Sequence, residues 1–73
     1  MDFSWALVVL KCGARVHNLE WNGEGMYLEL QRPDEHSKMG LPYIFLKTVS
    51  GELVPWTPSQ LDLMSEQWEE LEA

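Results

Sequence analysis

The sequence predicts an α+β fold: a small antiparallel sheet of four to five strands with an N-terminal helix and a short second helix, assembling as a homo-oligomer. Three observations predict it. An apolar i, i+3, i+4, i+7 face opens the chain, short alternating segments between turn residues fill its middle, and a Thr-Pro pair announces a second helix. The need for partners follows from size. Seventy-three residues make one domain, 1–73, and a domain this short buries only about 60% of the surface its unfolded chain exposes. Cys12 is the single cysteine, so no disulfide can form within the chain, and Cys12 with the distant His17 and His36 gives no zinc-ligand spacing. Self-association is the remaining source of stability. An apolar content of 45% and four tryptophans supply surface for it.

Taken in order, residues 3–12 read as a helix, with Phe3, Ala6, Leu7 and Leu10 on one face. Ser4 or Asp2 caps its start and Gly13 stops it. Trp5, Val8 and Val9 lie off that face and suggest cover on a second side, by another subunit. Ala14–Asn18 is a short strand, and Trp21–Gly25 a turn. Met26–Gln31 is a second strand, with Met26, Leu28 and Leu30 on one face and Tyr27 and Glu29 on the other. Residues 32–41, polar and holding Pro33 and Gly40, form a loop. Tyr43–Thr48 is a third strand, joined through Ser50-Gly51 to a fourth at Glu52–Pro55. Thr57 as N-cap, Pro58 at the first position and Gln60 at the third open a helix over 58–65, with Leu61 and Met64 facing inward. Glu66–Leu71 either continues that helix or forms an edge strand, and the strand is the preferred reading.

Charge narrows the function classes. The net charge is −7, with a sequence pI near 4.5, which argues against a nucleic-acid or anionic-membrane face. The late acids Asp62, Glu66, Glu69, Glu70 and Glu72 read first as a solvated tail; a DNA-mimicking acidic surface is the sharper alternative. Residues 1–12 lack the basic start and small-residue cleavage site of a secretory signal, and the apolar run Trp5–Leu10 is too short to span a bilayer. With the unpaired cysteine, this predicts a cytoplasmic setting.

No catalytic machinery is legible. The serines stand in no nucleophile-elbow context, neither histidine lies in a motif, and Gly23-Glu24-Gly25 is too short for a phosphate loop. The chain reads as a non-enzyme that needs no cofactor, and Cys12 as a buried small hydrophobe. Two segments carry binding chemistry instead. In Trp21–Tyr27 an indole offers a stacking face, Asn22 can serve a base edge or ribose, and Gly23 and Gly25 expose amides; on local grounds alone, a turn whose aromatics plug the core is the favoured alternative. In Val54–Gln60 a helix N-terminus offers donors to an anion, although Thr57 could simply cap its helix while Trp56 packs inward. An anionic ligand in so acidic a chain needs local compensation from Lys11, Arg15, Lys47 or these amides, and Arg15 and Lys47 can sit on adjacent strands.

Several blocks, read in order, resemble the Thoeris anti-defence protein 2-like family of small phage and prophage proteins. They are Met1-Asp2-Phe3 with Ala6-Leu7 and Leu10-Lys11; Trp21-Asn22-Gly23 with Gly25-Met26-Tyr27; Pro42-Tyr43-Ile44 with Lys47-Thr48; Gly51; and Val54-Pro55-Trp56 through Ser59-Gln60, Asp62 and Trp68. The resemblance implies a homotetrameric sponge in the cytoplasm of an infected bacterial host. Such a protein sequesters a cyclic ADP-ribose-type immune signal, and in some members cyclic oligonucleotides, without cleaving it. It also implies a pocket between subunits, with Phe3 and Trp21 as stacking surface and Asn22, Trp56, Gln60 and Asp62 as polar or wall contacts. Gly23, Gly25 and Thr57 complete the candidate ligand set. This chain departs from the pattern in its short 32–41 loop, in His17-Asn18 where basic residues are common, and at Trp5 and Val8. The runner-up function is an acidic protein–protein inhibitor or adaptor.

Overall fold

A computed structural model describes residues 1–21, 23–36, 38 and 40–71. The first helix, α1 (Phe3–Lys11), is capped by Asp2, whose carboxylate accepts from the Trp5 amide at 2.9 Å. Gly13 ends it: φ is 95°, a conformation that costs a residue with a Cβ about 1–2 kcal/mol. Ala6 and Leu10 are fully buried, as their spacing predicts. Trp5 and Val9 pack against the core of their own chain, so the helix is covered over a wider arc than one stripe. Val8 alone of the off-face residues is exposed, at 59%. Cys12, expected inside, is exposed at the helix C-cap, because the chain turns out at Gly13 before the cysteine can reach the core.

Among the described residues five strands follow: β1 (Arg15–Asn18), β2 (Tyr27–Gln31), β3 (Tyr43–Lys47), β4 (Leu53–Pro55) and β5 (Trp68–Leu71). All pair antiparallel, in the order β4-β3-β2-β1-β5. The first four make a meander, and β5 returns beside β1 as the predicted edge strand. Register sets the faces, since residues opposite one another point the same way. Val16 opposes Leu28, Leu28 opposes Leu46 and Leu30 opposes Ile44, so these apolar residues share the face on which α1 lies. Tyr27, Glu29 and Phe45 fall on the other. The fully buried core is small: Ala6, Leu10, Val16, Leu28 and Trp68.

The second helix corrects the sequence reading. Its predicted span was 58–65 with Thr57 as cap; α2 is Gln60–Met64, and its cap is Ser59. The Ser59 hydroxyl accepts from the Asp62 amide at 3.1 Å, and Asp62 Oδ2 accepts from the Ser59 amide at 3.0 Å. Serine with aspartate wins over threonine with glutamine for an electrostatic reason. A carboxylate makes the stronger, charge-assisted bond and lies favourably at the positive end of the helix, where a glutamine amide is neutral. A register two residues later turns the helical faces by about 200°. Leu61 and Met64, expected inward, are consequently 83% and 77% exposed, and Asp62 is the half-buried residue.

Candidate functional site

The connection from β4 to β5 carries the chain from one edge of the sheet to the other, and tryptophan stands at each end of it. Trp68 is fully buried, and its ring is the hub of an aromatic cluster. Phe3 meets it edge-on at 5.4 Å between centroids, Trp21 at 5.4 Å and Trp56 at 6.0 Å, while Phe3 and Trp56 lie 5.7 Å apart. These spacings are those at which the positive edge of one ring meets the negative face of another. Phe3, Trp21 and Trp56 are each half-buried, so the cluster presents three partly open rings around one closed one.

Asp62 ties this cluster to α2. Its Oδ1 accepts from the Trp21 indole at 3.3 Å, and its backbone carbonyl accepts from the Trp68 indole at 3.0 Å. One aspartate therefore closes the helix cap, orients the open indole and satisfies the buried one. Four sequence-predicted site residues, Phe3, Trp21, Trp56 and Asp62, are brought together in this way. The organising residue, Trp68, belonged to the motif blocks but not to the candidate set. The signal that could have found it is its position: an indole opening an edge strand whose following residues, Glu69 and Glu70, are charged.

The open rings line three grooves among the described residues, one of them shared by Phe3 with Asp2 and Glu66. Phe3 and Trp56 line one of about 560 Å³, together with Leu7, Leu30, Ile44 and Tyr43 and, among charged residues, Lys11 and Arg32. Trp21 lines another of about 310 Å³, with Gly23, Gly25 and Met26. Thr57 and Gln60 are exposed on the β4–α2 connection and at the start of α2, and line none of the three. The helix start expected to receive an anion is filled by the carboxylate of Asp62 itself. Asn22 lies outside the described residues.

Both turn glycines are structurally required. A Cβ on Gly23 would stand 2.3 Å from Val49 Cγ2 and 2.8 Å from Met26 Sδ, and Gly25 has φ 79°. Gly23→Ala is expected to cost about 1–3 kcal/mol through forced overpacking, measured by urea denaturation. Adding Val49→Ala, which removes the nearer clash from an exposed side chain, should recover part of that loss, the contact with Met26 Sδ remaining.

Arg15 and Lys47 are not on adjacent strands: β2 separates them, and they meet through Tyr27. The Arg15 guanidinium lies 4.6 Å from the Tyr27 ring centroid and the Lys47 ammonium 5.7 Å from it. Arg15 also donates to Glu29 at 2.7 Å, a hydrogen bond that, with Tyr27, raises the already high pKa of the guanidinium. Lys47 donates to the Gly25 carbonyl at 2.9 Å, so this cation holds the turn. Both stand on the sheet face away from α1, not beside Phe3 and Trp56. Among the described residues, no three His, Cys, Asp or Glu side chains gather as a metal site, and no helix is long and apolar enough to cross a membrane.

The class so defined is a small α+β domain of five antiparallel strands organised around an aromatic cluster. The chain belongs to the Thoeris anti-defense 2-like domain family, which it matches over residues 1–71. It is also similar to the Thoeris anti-defense 2 protein of Bacillus phage SP01, at 35% identity over 82 aligned positions covering 94% of this chain and 92% of that protein. The resemblance read from the motif blocks is thereby established. The alignment is longer than this 73-residue chain, so the phage protein carries residues that this chain lacks.

Proposed function

We propose that this protein is an anti-defence sponge. It binds a cyclic nucleotide immune signal of the cyclic ADP-ribose type, or a cyclic oligonucleotide, and holds it without cleavage, so that the bacterial effector is not triggered. The observation that carries this reading is the set of three half-buried rings, Phe3, Trp21 and Trp56, fixed around Trp68. Family membership supports it. Rings held rigidly offer stacking faces at little entropic cost, and a nucleobase has a face to match. Asn22, Gly23, Gly25, Thr57, Gln60 and Asp62 complete the proposed ligand set by residue type, and a second subunit closes the site in a homotetramer. Exposed apolar residues suited to such contacts are Val8, Leu61 and Met64.

Isothermal titration of the purified protein against cyclic ADP-ribose isomers and cyclic di- and trinucleotides tests the reading. Heat with at least one of them, and recovery of that ligand intact after denaturation, is the expected result. Silence across the panel would sink it, and turnover would make the protein an enzyme. Light scattering on the same sample reports the number of subunits. The acidic-adaptor reading keeps one observation of its own: Glu66, Glu69 and Glu70 are exposed at and beside the edge strand β5. It predicts a salt-sensitive complex with a host DNA-binding protein that is lost when the three are neutralised.

A further inference from the structure

The groove beside Phe3 and Trp56 has a polarity that the rest of the chain lacks. Acidic residues outnumber Lys and Arg by twelve to five, yet among the described residues no Asp or Glu lines this groove, while Lys11 and Arg32, two of the five cations, do. Its remaining walls are aromatic or aliphatic. A cavity of about 560 Å³ falls within the range that encloses small organic ligands. Such a groove complements a guest with a flat apolar body and an anionic end, in a molecule whose overall field repels anions.

The two cations are held differently. Lys11 occupies the last turn of α1, and the Arg32 guanidinium reaches from the end of β2 to donate to the Lys11 backbone carbonyl. The carbonyl end of a helix is by itself a poor place for an anion. Arg32 offsets this by covering one of those carbonyls while its planar fork retains further N–H donors. We propose that Lys11 and Arg32 form the phosphate seat of this groove, so that the site selects phosphorylated nucleotides over their neutral nucleosides. The proposal deepens the sponge reading and rests on it for the identity of the aromatic body. It adds two residues outside the motif-derived set and an orientation, with the base against Phe3 and Trp56 and the phosphate toward the end of α1.

The test is titration of the full chain with ADP, adenosine and each cyclic nucleotide of the panel, for wild type, Lys11→Met, Arg32→Met and the double variant. Circular dichroism verifies folding, and Lys11→Met, which leaves the Arg32 bond to the backbone carbonyl in place, guards against a fold defect in the Arg32 variants. Wild type should bind ADP more tightly than adenosine. The double variant should lose about tenfold or more for phosphorylated ligands, leave adenosine unchanged, and show a flatter dependence on salt. Equal affinity of wild type for ADP and adenosine, or undiminished binding of phosphorylated ligands by the double variant, overturns the seat. If a cyclic nucleotide is still captured by that variant, the sponge reading survives and the seat does not. If ADP binds through Lys11 and Arg32 but no cyclic nucleotide is held, the seat stands and the sponge reading falls.

Discussion

Trp68→Ala is expected to lower the free energy of unfolding by about 3–5 kcal/mol, the range for truncating a buried aromatic to alanine. Globular domains hold only about 5–15 kcal/mol in total, and small ones lie at the low end. The change therefore removes most of what keeps this chain folded. Its size follows from position. Trp68 is fully buried, touches three other rings, and has its indole N–H satisfied by the Asp62 carbonyl. With only five apolar residues fully buried among the described residues, few others can move in to close the hole. Trp68→Phe keeps a ring at the hub and loses the hydrogen bond and part of the volume, so it should cost clearly less. Urea denaturation followed by far-ultraviolet circular dichroism measures both. An alanine variant within about 1 kcal/mol of wild type would mean that Trp68 is not the hub.

How much of this was legible in the sequence depends on which signals are local. The first helix was read to within a residue because its stripe, its aspartate cap and its glycine stop all lie inside one short window. The strands were similarly legible, since alternation such as Tyr27-Leu28-Glu29-Leu30 sets the face of each residue wherever the sheet places it. The second helix was misplaced because two overlapping capping patterns compete there. Thr57-Pro58-Ser59-Gln60 satisfies the general rule, but Ser59 with Asp62 brings a charge, and Asp62 is further held by the indole of a residue 41 positions away. No window of local sequence contains that partner.

The candidate site divides along the same line. Phe3, Trp21, Trp56 and Asp62 were nominated from residue type and motif, and they converge. What the sequence could not show is that the buried ring between them is Trp68, because strand order decides that contact: β5 must cross to the far side of β1 before its first residue can enter the cluster. Lys11 was named as a compensating charge, but Arg32 was not, since it sits in a polar loop where an arginine carries no signal. Arg15 and Lys47, named beside it, prove to be committed to Tyr27, Glu29 and the Gly25 carbonyl. They brace the turn that carries Gly23 and Gly25.

The largest effect expected on binding is from Trp21→Ala. On the sponge reading, Trp21 supplies one stacking face of the site, in the groove next to that of Phe3 and Trp56, and loss of such a contact costs about 1–3 kcal/mol, roughly five- to 150-fold in affinity. The same substitution should be far gentler on the fold than Trp68→Ala. Trp21 is only half-buried, and its ring meets Trp68 edge-on, so its removal opens the rim of the cluster and leaves the centre in place. Two companion variants separate the face of the ring from its hydrogen bond. Trp21→Phe retains an aromatic face and loses the indole donor to Asp62, while Asp62→Asn removes the charge and keeps an acceptor there. If stacking dominates, Trp21→Phe binds nearly as well as wild type and Trp21→Ala does not. If the indole must be held by Asp62 to present its face, Trp21→Phe falls toward Trp21→Ala. Titration with the tightest cyclic nucleotide of the panel, alongside circular dichroism and light scattering, reads all three. An alanine variant that stays folded and assembled yet captures that ligand undiminished would remove Trp21 from the site.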